Sequence, residues 1–392
     1  MISRATRGPV ADWWWTIDRG FLAAFLSLIG IGMVMSFAAS PPVAERIGLD
    51  PFHFTERHAV FAVVGVVLMI GASYLSHRMV RRVSLVMLLG SMALMILLLS
   101  VGVEVKGARR WISIAGFSLQ PSEFMKPAFV VICAWLFAQQ QRQRDMPGNL
   151  LASVLLILVG VLLVAQPDLG QTTLTLAVWG MMFFMAGMPW LWIIVLGSFG
   201  VGGLFAAYYM FPHFEGRINR FLTGEGDNFQ VDTATEAIIS GGWLGKGPGE
   251  GTVKGVLPDS HTDFVFAVIA EEFGIVMCLV VLALFAFVVL KGLIWATRER
   301  DEFTRLAVSG LVMLFGFQAI INMGVNLKLL PAKGMTLPFV SSGGSSMMAM
   351  ALGMGMLLAL TRTRPERHAS RSRMVDFDAI DLTFQRKAGG AR

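Results

Sequence analysis

The sequence predicts an all-α, polytopic integral membrane protein. Three observations carry that reading. Only 15% of the 392 residues are charged, against roughly 25% in a soluble globular chain. Uninterrupted apolar runs of about 20 residues, the length of a bilayer-crossing helix, recur from end to end. Polar residues gather in the connectors between those runs, as in a bundle of spans joined by loops. About ten spans follow, near 21–40, 59–76, 83–102, 121–139, 150–166, 169–187, 190–211, 263–291, 304–326 and 338–360.

The same composition excludes other classes. Cys133 and Cys278 both lie in apolar runs and read as small hydrophobes, with no disulfide framework or metal site. Six histidines without close Cys or His spacing argue against zinc. The net charge of +6 reflects basic residues in cytoplasmic connectors, so no nucleic-acid partner is expected.

Residues 1–20 form a cytoplasmic segment whose Trp13, Trp14 and Trp15 suit an interfacial belt. The first span is too long for a cleavable signal, whose apolar region runs to roughly 7–15 residues. Arg78, Arg81, Arg82, Arg142, Arg144, Lys291, Arg298, Arg300 and Arg305 fall in alternate connectors. That places both termini in the cytoplasm. The ten spans make one domain, 21–360. The tail 361–392 is basic and aromatic-poor, and is expected to be disordered with some affinity for anionic lipid. A large extracytoplasmic loop, 212–262, separates spans seven and eight.

Three outward segments keep cations against this bias: Lys106, Arg109 and Arg110; Arg217, Arg220, Lys246 and Lys254; Lys328 and Lys333. Two explanations stand side by side, an anionic ligand on that face or ordinary pairing with Glu104, Glu215, Asp227 and Glu250. Around Arg109, the run GARRWI is a loop whose Trp111 suits an interfacial anchor. Pro121 opens the fourth span, and Glu123 and Lys126 share a helix face at i, i+3. For Lys126 the alternative is a side chain snorkelling to the outer interface. Asp168, in Gln166-Pro167-Asp168-Leu169-Gly170, reads as a helix cap.

Span eight is too long. Asp263 to Lys291 as one helix would measure about 43 Å, against a hydrocarbon core of roughly 30 Å. Its first turns, with Asp263, Glu271 and Glu272, should therefore project outward or line a wet cavity, and carboxylates there are functional candidates. Ser260 and Asp263 also fit a capping box. A dipole-stabilised carboxylate is a poor base, so Asp263 needs desolvation or a neighbouring acid such as Glu271 to act as one. The last motif, Pro331 to Pro338, leads into Ser341-Ser342-Gly343-Gly344-Ser345-Ser346, whose small residues permit close packing.

GARRWI, QPSE with Lys126, QPDLG, SGGWLGKGPGEG, HTDFVFAVIAEEFG and LPAKGMTLPFVSSGGSS fall in order between about 105 and 360. Together they resemble the SEDS family (shape, elongation, division and sporulation). LPAKGMTLP is more similar to the septal FtsW branch than to the elongation branch, RodA, where a valine-rich version is usual. Ser342 stands where the family usually has Tyr, and Asp259-Ser260 where Glu-Ala is common.

The resemblance implies a ten-helix peptidoglycan glycosyltransferase that polymerises lipid II, an undecaprenyl-pyrophosphate-linked disaccharide-pentapeptide. The reaction would take place at the outer face of the bacterial cytoplasmic (inner) membrane, at the division septum. It implies a class B penicillin-binding protein transpeptidase and other division-complex membrane proteins as partners. Asp263 matches the family's essential loop aspartate. Arg109, Arg110, Lys126, Lys254 and Lys328 would then bind the pyrophosphate, with Trp111, Glu123, Glu271, Ser260 and His261 in support. A divalent cation, Mg²⁺ or Mn²⁺, stays open as cofactor, with Asp263 its ligand in place of the base. Two other readings are a lipid II flippase and a scaffold recruiting division proteins. Charges crowding the outer end, and not mid-membrane, favour the enzyme over the flippase.

Overall fold

The structure, a computed structural model, describes residues 8–105, 108–114, 117–143, 145–187, 190–210, 215, 216, 219, 229–331 and 334–363. Lys106, Arg217, Arg220, Lys333, Asp227 and the tail beyond residue 363 therefore lie outside the described residues. The chain divides into two units, Met1–Asp18 with Thr361–Arg392, and Arg19–Leu360. In the first, α1 (Pro9–Thr16) opens with proline in its first turn. The Thr16 carbonyl accepts a hydrogen bond from the amide of Thr363 at 3.1 Å.

The second unit is a helix bundle. Its elements are α2 (Arg19–Arg46), α3 (His53–Ser73), α4 (His77–Val101), α5 (Pro121–Arg142), α6 (Gly148–Ala165), α7 (Leu169–Met185) and α8 (Trp190–Met210). After these come α9 (Phe229–Gly241), α10 (Val265–Arg298), α11 (Glu302–Asn326) and α12 (Gly344–Thr361). Each predicted span coincides with one of these helices. Among the described residues, eight are long and apolar enough to cross a membrane, and α7 is a shorter apolar helix. The centre is α5, α11 and α12, whose apolar stretches are 89%, 83% and 78% buried, while α3, α4 and α6 show most of theirs to the surroundings. A helix that is apolar all round can be central. Phe25, Phe315 and Phe339 pack against one another there.

Four features differ from the sequence reading. First, GARRWI is no loop. Strands β1 (Val103–Val105), β2 (Ala108–Ile114) and β3 (Phe117–Leu119) form a small antiparallel sheet in the order β1-β2-β3. Ile112 pairs with Leu119 and Ser113 with Ser118. Second, residues 229–241 of the large loop are helical. Ala234 and Ala237 of α9 pack on Leu257, Phe264, Ala267 and Val325 in a small apolar core of their own.

Third, α12 starts at Gly344, not near 338, and the segment before it is irregular. Fourth, the overlong eighth span is broken. Gly274 has φ 74 and ψ −177, outside helical geometry, and divides α10 into two helical stretches. The amides of Ile275 and Val276 open the second stretch and would be orphaned by the break. They donate instead to the carbonyls of Gly242 and Trp243, at 3.0 and 3.3 Å.

Only glycine fits the break. Its φ is left-handed, and a Cβ there would stand 2.3 Å from the Trp243 carbonyl oxygen. Gly274→Ala should cost at least about 1–3 kcal/mol from strain alone and lower the thermal unfolding midpoint in detergent. Gly90→Ala, with nothing within 4 Å of the added carbon, should hold or raise it, since uncrowded helical Gly→Ala is mildly favourable.

Candidate active site

Asp263 lies in the turn that precedes α10. Asp259 has φ 52, a left-handed backbone that aspartate tolerates better than most residues. Its carbonyl collects the amides of Thr262, Asp263 and Phe264 at 3.1, 3.1 and 3.3 Å. The expected capping box is not formed. α10 begins at Val265 with Phe264 at the N-cap position and no side-chain cap. Ser260 is fully buried, and its hydroxyl has no partner among the described residues. The tight turn at Asp259 ends the non-helical chain later than the spacing suggested.

The carbonyls of His261, Thr262 and Asp263 are held from outside the turn. The amide of Ser342 donates to His261 at 2.9 Å. The Ser341 hydroxyl donates to Thr262 at 2.5 Å and accepts from the Leu337 amide at 2.8 Å. The Asp263 carbonyl accepts from Asn322 Nδ2 at 2.8 Å and Asn326 Nδ2 at 3.0 Å. Asn326 Oδ1 in turn accepts from the Ala267 amide at 3.1 Å, capping α10 from the neighbouring helix. Asn322 Nδ2 also donates to the Met335 carbonyl at 2.6 Å. The Ser341–Ser346 run therefore does more than pack, and Ser342 acts through its main chain. The ring of His261 lies 4.5 Å from that of Phe54.

A small cleft opens at Asp263, lined by Gln230, Phe264, Asn322, Val325, Gly334 and Met335. A Cβ at Gly334 would approach Asp263 Oδ2 at 3.5 Å, and Gly334 has φ +61. The chain thus passes the carboxylate with only hydrogen atoms facing it.

A second polar cluster lies beneath β2. Strand alternation turns Arg110 inward and leaves Arg109 and Trp111 exposed. Arg110 Nε donates to the Gln166 carbonyl at 2.8 Å, and its guanidinium lies 3.4 Å from the Asp168 carboxylate. Asp168 caps α7 by accepting from the Gln171 amide at 3.3 Å, as the sequence suggested. Burial raises its carboxyl above the ordinary carboxylate range, and Arg110 and the Gln171 amide pull it back only in part. Lys126 does not snorkel. It is 1% exposed, pairs with Glu123 at 2.9 Å and donates to Gln318 Oε1 at 3.0 Å. Glu123 accepts from Gln171 Nε2 at 2.6 Å.

Gln318 joins the clusters. Its Nε2 donates to the Thr336 carbonyl at 3.2 Å, one residue from the carbonyl held by Asn322. A chain of contacts therefore runs from Glu123 through Lys126, Gln318, Thr336, Met335 and Asn322 to Asp263.

Of the remaining expected site residues, Glu271 and Lys254 are buried and Lys328 is exposed. Glu271 is fully buried and accepts from the Val253 and Lys254 amides, both at 2.8 Å. Lys246 lies 3.4 Å from it, and Lys254 is buried against Glu272. Lys328 pairs with Asp232 at 2.7 Å and is half exposed. Pairing thus accounts for several outward cations, but with partners other than the acids first considered. Gln318, Asn322 and Asn326 were missed. Their signal is three amides at i, i+4 and i+8 on an otherwise apolar helix. Among the described residues no three His, Cys, Asp or Glu side chains gather in reach of one metal ion. The described residues around Asp263 therefore do not build a metal site by themselves.

A family model described as cell cycle protein, for FtsW, RodA and SpoVE, matches residues 19–366. The chain belongs to that family. Among relatives, the probable peptidoglycan glycosyltransferase FtsW of Caulobacter vibrioides is 47% identical over 350 residues, 89% of this chain and 90% of that one. Its counterpart in Trichlorobacter lovleyi is 36% identical over 344 residues, covering 84% and 89%. A solved peptidoglycan synthase complex, described as coordinating polymerization and crosslinking, contains a chain 28% identical with a TM-score of 0.75, covering 89% of this chain and 98% of that one. The crystal structure of Thermus thermophilus RodA is also 28% identical, with a TM-score of 0.66 and coverage of 89% and 97%. The FtsW/RodA/SpoVE fold is thus common to them, and the FtsW names among the relatives match the branch resemblance of LPAKGMTLP.

Two outcomes follow. Lys126→Met leaves a buried, unpaired Glu123 and should destabilise the protein by about 3–5 kcal/mol. Adding Glu123→Gln should recover part of that loss, read from unfolding midpoints in detergent. The folded-state value of Asp168 is raised, so its contribution to stability is full below the unfolded value of about 3.9 and is lost as pH rises through the folded one. Asp168→Asn keeps a capping oxygen, and its unfolding midpoint should fall less than the parent's on that same rise in pH.

Proposed function

We propose that this chain is a peptidoglycan glycosyltransferase of the FtsW type, with Asp263 as its general base. The observation that carries the reading is the placement of Asp263: a carboxylate beside a small cleft, its main chain pinned by two elements, at the start of a broken helix. The relatives named as probable glycosyltransferases support the reaction class. The substrate is lipid II, reached from the outer face of the cytoplasmic membrane, and the setting is septal wall synthesis. The partner is a class B transpeptidase, an assignment supported by the likeness to a complex that couples polymerization to crosslinking.

In the proposed step Asp263 takes the proton of the acceptor sugar's 4-hydroxyl. That oxygen forms a bond to the anomeric carbon of the lipid-linked donor. The bond from that carbon to the phosphate oxygen breaks, its electron pair leaves with undecaprenyl pyrophosphate, and the carbon inverts. The cleft encloses only about 30 Å³, room for a water or two. The sugars therefore lie across its mouth and not within it.

Negative charge grows on the leaving pyrophosphate, and preorganised cations lower its energy. Arg109, exposed on β2, suits that task, and Arg110 holds its strand in place through the Gln166 carbonyl and Asp168. Lys328, half exposed, is available on exchange from Asp232. Lys126 and Lys254 serve as framework, because leaving their buried carboxylates costs several kcal/mol. Glu271, tied to the main chain of Val253 and Lys254, fixes the loop and does not line a conduit as a flippase would require.

General base catalysis contributes roughly 100- to 10,000-fold. Asp263→Asn should therefore slow polymerisation of lipid II by at least about 100-fold with the unfolding midpoint unchanged. The assay uses purified protein with its transpeptidase. Polymerisation at the parental rate would show that Asp263 is not the base.

A further inference from the structure

We propose that Asn322 and Asn326 are positioning residues that hold the Asp263 carboxylate in its reactive place against the 334–343 segment. The inference rests on the reading of Asp263 as the base. Both amides are buried, at 1% and 0% exposure, in the last turns of α11, which ends at Asn326. A buried amide in such a helix is retained at a cost unless its hydrogen bonds are made. Here every amide hydrogen of the two side chains is used. Asn322 Nδ2 uses its two hydrogens on the carbonyls of Asp263 and Met335. Asn326 Nδ2 donates to the carbonyls of Asp263 and Asn322, and its Oδ1 accepts from the Ala267 amide.

The arrangement does two separate things. Asn326 spans the start of α10, holding the Asp263 carbonyl and the Ala267 amide, which it shares with the Phe264 carbonyl at 3.0 Å. It replaces the absent N-cap and fixes the phase at which the helix begins. Asn322 ties the Asp263 carbonyl to that of Met335, which brings Gly334 against the carboxylate. One face of α11 therefore sets both where the carboxylate stands and what passes in front of it. Neither side chain needs to touch the sugars. Both act through the Asp263 main chain, and a displacement of about 1 Å at a reacting group can cost about 100-fold in rate.

The test has a kinetic and a structural arm, on full-length protein with its transpeptidase. Asn326→Ala and Asn322→Ala should lower kcat for lipid II polymerisation by about 10- to 100-fold while KM stays within about twofold. Asn326→Asp keeps the acceptor for Ala267 but loses the donor to Asp263. Its buried carboxyl faces the Asp263 and Asn322 carbonyls, so its unfolding midpoint should fall. Its kcat, read well below that midpoint, should still fall with KM unchanged. Asn322→Ser, which removes the amide donors, repeats the test if the other variants fail to fold. Hydrogen–deuterium exchange should quicken at Ala267 in Asn326→Ala and at residues 334–336 in Asn322→Ala. Parental kcat in Asn326→Asp, or a loss confined to KM, would overturn the proposal. So would unchanged exchange at Ala267. Full activity of Asp263→Asn would instead sink the base assignment, and the clamp itself would then stand or fall on the exchange arm.

Discussion

Buried main-chain polar groups must find partners within the protein, because burial takes them out of reach of water. The segments before α10 and α12 are irregular, so helix geometry does not satisfy them. The solution is a set of side chains on α11, with the Ser341 hydroxyl and the Ser342 amide beside them. Gln318, Asn322 and Asn326 reach the carbonyls of Thr336, Met335 and Asp263. Ser341 and Ser342 take those of Thr262 and His261. Each bond contributes only about 1 kcal/mol net, but a missing one leaves a buried polar group costing about 1–3 kcal/mol. The asymmetry makes the arrangement all-or-none, and the position of Asp263 follows from it.

The rest of the polar interior extends the same arrangement. Lys126 and Glu123 neutralise each other inside α5, and Lys126 orients Gln318. Arg110 fastens β2 to the turn capped by Asp168. Glu271 and Glu272 draw the glycine-rich loop onto the first stretch of α10. Charges that stand out in the sequence as ligands for an anion are mostly spent on holding irregular chain in place. Arg109 is exposed on its strand, and Lys328 sits in a pair open to solvent. This division separates framework from contact surface on one face of the molecule.

The helices were legible because each is an apolar run as long as a span. The break in α10 was legible only as excess length, since Gly274 in an apolar run looks like any helical glycine. Its cause, the approach of the Trp243 carbonyl, is non-local. The β2 strand was hidden because two arginines and a tryptophan blur its alternation. The short helix α9 was hidden because it buries only small side chains such as Ala234 and Ala237. Asp263 was legible as a candidate through the overlong span and the ordered motifs, but its surroundings were not. Ser260 looked like a cap because spacing cannot reveal the tight turn at Asp259. Lys254 looked free because its partner, Glu272, lies far along the chain. Asn322 and Asn326 carried a visible period on α11, yet single amides in a span are usually tolerated ones, and their partners come from other elements.

The central claim is that the held carboxylate of Asp263 meets the acceptor hydroxyl. A structure of the chain with its transpeptidase and a non-hydrolysable lipid II analogue tests it most directly. The account predicts the acceptor's 4-oxygen within about 3.2 Å of an Asp263 carboxylate oxygen, with Asn322 and Asn326 still on the Asp263 carbonyl. An acceptor bound elsewhere, with Asp263 turned to the pyrophosphate instead, would contradict it.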